Sequence, residues 1–194
     1  MEAVLSALKT GQVIPQFLEA SFNPSTLLTV TYNNKPIVAG EILTPSQVTQ
    51  QPTIHYDADP NAFYTLVFLD PDVPSRAAPT FGPWLHWIVT NIPGNKLSEG
   101  EVLAEYIGSG PPEKTGLHRY CFFIFQQPSK LKFTGEYILP TTAAKRDKYE
   151  FERFVTKWNL SVKAATFYEA EFDDAVPGLY KMLETVKTQP QLIE

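Results

Sequence analysis

The sequence predicts a mostly β domain with peripheral helices, and three observations predict it. The runs "FYTLVFLD" (63–70), "WLHWIVTNI" (84–92) and "HRYCFFIFQQ" (118–127) are nearly continuous in β-branched and aromatic residues. Such composition is expected of central strands covered on both faces. Seventeen prolines, many in "DPDVPS", "FGPW" and "GPPE", cut the middle of the chain into strands joined by stiff loops. The longer helical stripes come only after residue 145.

In chain order, residues 2–10 read as a short helix with Val4, Leu5 and Leu8 on one side. "LLTVTY" (27–32), the polar "NNK" and "PIVAG" read as a hairpin-like pair. The three core runs follow. In "KRDKYEFERFVTKWNL", Phe151, Phe154, Val155 and Trp158 form one apolar helical stripe. "SVKAATFYEAEF" (161–172) reads as a strand. In "DDAVPGLYKMLETVK", Asp173 or Asp174 can cap a helix, Pro177 suits its first turn, and Leu179, Met182, Leu183 and Val186 form a stripe predicted to be buried. The tail 188–194 is expected to fray.

With 194 residues, 43% of them hydrophobic and 13% aromatic, the chain can build one sizeable core, so a single domain over 1–194 is expected, with 1–20 as an N-terminal extension. Net charge is −5 and the basic residues are scattered, which argues against a nucleic-acid partner. The single cysteine, Cys121, cannot form an internal disulfide and fits a reducing compartment. No run approaches a membrane span and the N-terminus does not resemble a signal peptide. A cytoplasmic monomer, with at most peripheral membrane contact, is the expectation.

The candidate site lies where core strands meet constrained loops. "GSGPPEKTGLHRY" (108–120) delivers His118 and Tyr120 at the mouth of a strand, and side-chain alternation points both to one face, away from Cys121. By the same rule Trp84, His86 and Ile88 share a face opposite Leu85 and Trp87. Asp70 ends its strand and opens "DPDVPSR". If the three core strands are neighbours, Asp70, His86 and His118 meet at one edge of the sheet beside the amides of Gly108 and Gly110, and such a set makes a ligand pocket. His55, in "TIHYD", lacks this setting and reads as structural.

These segments resemble the phosphatidylethanolamine-binding protein family, which includes Raf kinase inhibitor proteins and a yeast carboxypeptidase inhibitor. "TLVFLDPDVPSR" and "GSGPPEKTGLHRY" are similar to its two signatures, "WLHWIVTNIPG" lies between them, and "YEAEFDDAVPGLY" resembles its C-terminal segment. The resemblance implies a large central β-sheet flanked by a smaller sheet and C-terminal helices, with a small anion-binding cavity. It places Asp70, Asp72, Trp84, His86, Tyr106 and Gly108 around that cavity. It adds Gly110, Pro111, Pro112, His118 and Tyr120, with Tyr180 at the mouth. Phe81 stands where relatives commonly carry Tyr, and Gly82–Pro83 where they often carry a cis bond without proline. A cis bond costs about 2.5–4 kcal/mol without proline and only about 0.5–1 kcal/mol before it, so cis bonds are expected at Gly82–Pro83 and Val73–Pro74.

The ligand this implies is phosphate or a phosphoethanolamine-type anion, held by His and backbone N–H groups, with the two aspartates orienting imidazole or meeting an ammonium. Binding is expected to strengthen as pH falls toward the ordinary histidine value of about 6.5. No cofactor and no metal are expected. The rival readings are a small hydrolase or a metal-dependent enzyme using His86, His118 and Asp70. Against the first, "IGSGP" is not a nucleophile elbow and Cys121 faces away from His118. The favoured reading is a non-catalytic scaffold that inhibits or modulates protein kinases or serine proteases.

Overall fold

The computed structural model describes residues 1–186 and 188–194. The first helix, α1, spans Glu2–Thr10, and the short α2 spans Val13–Gln16 with Ile14 out of helical geometry. Three small strands follow, β1 (Thr29–Tyr32), β2 (Lys35–Pro36) and β3 (Thr53–His55). The core strands are β4 (Phe63–Asp70), β5 (Trp84–Pro93), β6 (Glu101–Ala104) and β7 (His118–Gln126). Then come β8 (Tyr137–Ile138), α3 (Phe151–Lys157), β9 (Ser161–Ala170), α4 (Val176–Thr185) and β10 (Gln191–Leu192).

Five strands form one antiparallel sheet in the order β6-β5-β4-β7-β9. Both of its faces are covered, and the side chains divide between them with period two. On one face Tyr64, Leu66 and Phe68 of β4, with Phe122 and Ile124 of β7, pack against Leu28, Val30, Tyr32 and Ile54 of the small sheet β2-β1-β3. On the other, Val67, Leu69, Phe123 and Phe125 meet Leu8, Val13 and Leu18 from the N-terminal segment and Phe151 and Phe154 from α3. The fold is therefore mostly β, with a large sheet layered between a smaller sheet and helices. The rings of Phe68 and Phe122 stack at 3.9 Å in the first of these cores.

The N-terminal extension packs onto the domain and contributes Leu8, Val13, Ile14 and Leu18 to the core. Two sequence expectations change, one for the tail and one for α4. The tail, expected to fray, pairs Gln191–Leu192 with Tyr137–Ile138. On α4, Val176 is the buried residue; Met182 is exposed, and Val186 lies beyond the helix end. Ala175 rather than an aspartate precedes α4, although Asp173 Oδ1 accepts from its N–H at 2.9 Å. The Val73–Pro74 and Gly82–Pro83 bonds are cis, as the loops led us to expect, and so is Ile14–Pro15.

Candidate functional site

The strand order makes β5, β4 and β7 neighbours, which brings the ends carrying His86, Asp70 and Tyr120 together. A β-bulge alters the alternation there. Phe68 pairs with Trp87 and Leu69 with Leu85, leaving His86 as the extra residue. His86 and Trp87 therefore both lie on the Phe68 side of the sheet, while Ile88 joins Leu85 in the opposite core. The sequence expectation that Ile88 shares the face of His86 is corrected. A bulge re-aims a side chain in this way, and here it turns the imidazole to the cavity.

That cavity measures about 360 Å³. Its polar lining is Asp70, His86, Tyr120 and the backbone at Gly108 and Gly110. Val73, Trp84, Ile107 and Ala143 supply apolar wall. Leu179, Tyr180 and Leu183 of α4 close it from above, with Glu184 beside them and Pro112 at the edge. Gly108 is demanded by close approach, since a Cβ there would stand 2.5 Å from the Val48 carbonyl oxygen. Tyr180 Oη donates to the Gly110 carbonyl at 2.7 Å and so ties α4 to the loop.

Of the twelve residues expected at the cavity, eight line it: Asp70, Trp84, His86, Gly108, Gly110, Pro112, Tyr120 and Tyr180. The other four stand behind it. Asp72 is enclosed and accepts from Arg119 Nε at 2.9 Å and Nη2 at 2.6 Å, and from the Arg119 N–H at 2.9 Å. Tyr106 Oη donates to the Val48 carbonyl at 2.7 Å and accepts from Tyr32 Oη at 2.8 Å. Pro111 is buried in the loop. His118 is fully enclosed, with Nδ1 2.8 Å from Asp70 Oδ2 and Nε2 2.9 Å from Thr115 Oγ1. Both aspartates are thus engaged by protein donors, since Asp70 Oδ1 also accepts from the Asp72 N–H at 2.7 Å. Asp72 is thereby withdrawn from the cavity; the acids at the cavity wall are Asp70 and Glu184.

His86 is held from both sides. Its Nδ1 lies 2.7 Å from the Ile107 carbonyl, and its own carbonyl accepts from the Ile107 N–H at 3.0 Å. Burial pushes its pKa down to about 3; the Ile107 carbonyl opposes this, and the positive charges of Arg146 and His118 add to it. The ring is therefore neutral at ordinary pH, and the expected gain of charge near 6.5 does not occur on His86. Burial raises the Asp70 carboxyl, with His118 opposing, and lifts the Tyr120 hydroxyl well above its usual value, with the Asp70 charge adding.

Arg146 is a supporting residue that the sequence did not single out. Its guanidinium is fully enclosed and donates to the carbonyls of Thr142, Leu85, His86, Glu105 and Pro140 at 2.7–3.1 Å. It pins the bulged strand to the loop behind the cavity. Nothing in the local "KRDK" pattern distinguishes such a clamp from a solvated base.

Among the described residues, Tyr120 Oη is the buried side-chain polar atom with no hydrogen-bond partner. Such atoms are rare in folded proteins, and each calls for an explanation such as local strain, an ordered water or ion, or a functional role. A second hollow, of about 250 Å³, lies beside α3 near Glu136 and Lys148 and has no comparable orphan group.

A family profile described as "Phosphatidylethanolamine-binding protein" matches residues 19–169. The chain belongs to the phosphatidylethanolamine-binding protein family. A Drosophila melanogaster relative described as "Putative odorant-binding protein A5" is 34% identical over 184 residues, covering 94% of this chain and 87% of its own length. Among solved structures, a carboxypeptidase Y inhibitor complexed with its cognate proteinase superposes with a TM-score of 0.77 at 22% identity, over 89% of this chain and 96% of that one. A phosphatidylethanolamine-binding protein from Plasmodium vivax gives 0.74 at 20% identity, over 88% and 98%. At these identities the two structures speak to the fold, and they agree on the large sheet of the family.

Proposed function

We propose that the chain is a binding protein without a reaction of its own. Its cavity takes a small anion of the phosphate or phosphoethanolamine type, and its surface inhibits or modulates a serine protease or a protein kinase. The observation that carries the cavity reading is the Tyr120 hydroxyl, buried, without a partner and beside the Gly110 backbone. It makes no hydrogen bond of good geometry, and its polar neighbours are the Asp70 carboxyl and the Gly110 backbone. The apolar wall of Trp84, Leu179 and Leu183 suits a substituent on that anion, and Glu184 suits an ammonium at the opening.

A nucleophile poised by a base is not assembled around the cavity. Ser109 Oγ is engaged with Tyr168 Oη at 2.5 Å, and Ser75 Oγ accepts from the Ala78 N–H at 3.3 Å. Cys121 packs in the opposite core, and burial raises its thiol pKa. These features favour binding over hydrolysis. Protease inhibition is supported by family membership together with the fold shared with the carboxypeptidase Y inhibitor.

Calorimetric titration with phosphoethanolamine tests the cavity. Tyr120→Phe removes only the orphan donor and is expected to weaken binding about tenfold, the scale of one hydrogen bond to a charged group. Unchanged affinity would remove the observation on which this reading stands. Inhibition assays against serine proteases and kinases test the surface reading, and failure to inhibit either class would overturn it.

A further inference from the structure

We infer that a groove between the N-terminal segment and α3 is a docking site for a partner protein, and that it takes a segment bearing large apolar side chains set among lysine or arginine. The groove shares no lining residue with the cavity described above, and its occupant is independent of the anion.

Two joined hollows make the groove. The larger, of about 360 Å³, has a floor of Phe125, Phe151 and Leu160, with the half-buried rings of Phe17 and Phe22 at its sides. The smaller, of about 330 Å³, runs on past Phe17 and Phe151 to Pro83 and Tyr149. Phe17, Phe151 and Glu152 line both, which makes the two continuous. Phe17 is fixed between them, since its ring packs edge-on against Phe151 at 5.5 Å and Phe123 at 5.9 Å. The walls are therefore built by the core itself and stand ready before anything binds. Aromatic hollows of this kind at a protein surface receive the apolar anchors of a partner.

Charge selects the occupant. Glu19 and Glu152 are exposed at the border of the larger hollow, and neither enters an ion pair among the described residues. The base that lines the smaller hollow, Arg153, is already held by Glu150 at 2.8 Å. Lys157 is drawn to the opposite flank of α3 by Glu136 at 2.6 Å. One turn beyond Glu152, on the same side of the helix, stands Thr156 rather than a base. An acid in the first turn is stabilised by the helix dipole, which alone accounts for Glu152. It does not account for Glu19, which reaches the same hollow from a segment outside any helix. An apolar floor between two unpaired carboxylates complements apolar side chains flanked by cations and repels an acidic segment. Two hollows side by side suit a chain laid across both, where a small molecule would be enclosed in one.

Fluorescence anisotropy tests this with a labelled peptide carrying one tryptophan and one phenylalanine between lysines. It is expected to bind, and to weaken at least about threefold between about 0.05 and about 0.5 M salt, because exposed charges are screened. A peptide with glutamate in place of the lysines should bind at least about tenfold more weakly, and one with alanine in place of the two rings should not bind. Thr156 is exposed beside the floor. Thr156→Arg therefore fills the groove and offsets its charge without opening the core, and should abolish binding at an unchanged melting temperature. Glu19→Gln combined with Glu152→Gln keeps the floor and should weaken the lysine peptide about threefold to tenfold, the scale of two exposed ion pairs. Equal affinity for the lysine and glutamate peptides overturns the inference, as does binding that survives Thr156→Arg, or no binding of the lysine peptide. Two further results name another occupant and also overturn it. Phenethylamine binding as tightly as the peptide makes the groove a small-molecule site. Wild-type dimers that Thr156→Arg dissociates put a second copy of the chain there.

Discussion

His118 Nδ1 stands 2.8 Å from Asp70 Oδ2, with both groups sealed from solvent. Thr115 Oγ1 donates to the Pro112 carbonyl and so accepts from His118 Nε2, which fixes the ring with Nδ1 toward the carboxyl. Burial raises the Asp70 carboxyl, and the hydrogen bond and charge of His118 oppose that rise. An amide at position 70 can imitate a protonated carboxyl, donating to Nδ1 while its oxygen accepts from the Asp72 N–H. Asp70→Asn is therefore expected to lose less than about 1 kcal/mol of stability, whereas Asp70→Ala leaves buried polar groups unpaired and costs about 1–3 kcal/mol. Denaturant unfolding measures both. Equal losses would show that the amide does not replace the contacts of the carboxyl.

The neutrality of His86 has its own signature in stability. An unfolded histidine takes up a proton below about 6.5, while burial keeps the folded ring unprotonated down to about 3. Between those values the unfolded state holds more protons, so stability is complete above the upper value and is lost as pH falls toward the lower one. The slope attributable to this ring is at most about 1.4 kcal/mol per pH unit. Wild type should therefore lose ground to His86→Asn between pH 6.5 and 4 in urea melts. A constant difference across that window would show that the ring charges freely.

Asp72 and Arg119 form a buried, bidentate pair that the cavity does not touch. Removing the acid strands a guanidinium, and Asp72→Ala is expected to cost about 3–5 kcal/mol. Replacing both partners with Leu and Met should recover much of that loss, because neither charge is then left alone. Anion affinity of the folded Asp72→Ala protein should match wild type. A large fall in affinity at unchanged stability would return Asp72 to the binding site.

The central strands were legible because burial on both faces leaves a compositional mark. The run 63–70 became Phe63–Asp70, and 84–92 became Trp84–Pro93. The bulge at His86 was not legible, since an inserted residue has no signature of its own and exists only in register against Phe68 and Leu69. Leu179 and Leu183 show the same helical spacing whether they face a core or a cavity. Asp72 is a similar case: its residue type suits a ligand as well as Arg119, and only the folded strand shows that Arg119 claims it. The two-residue β10 depends on Tyr137–Ile138, far away in the chain, so its local composition could only suggest a loose end.

The N-terminal segment offers the clearest separation of structure from recognition. Leu8 is fully enclosed in the core, and the Gly11 carbonyl accepts from Arg119 Nη1 at 3.0 Å and Arg76 Nη2 at 3.1 Å. Leu8→Ala should cost about 2–5 kcal/mol, and deleting residues 2–12 should cost more, because it also strips an acceptor from two guanidinium groups. Loss of a partner on deletion would therefore report damage to the core. Ala3 and Ser6 are exposed on α1, so Ala3→Glu or Ser6→Asp should leave the thermal midpoint unchanged. If either abolishes inhibition of a protease that wild type inhibits, the exposed side of α1 is a contact surface. If inhibition survives both, the contact lies elsewhere and α1 serves the fold.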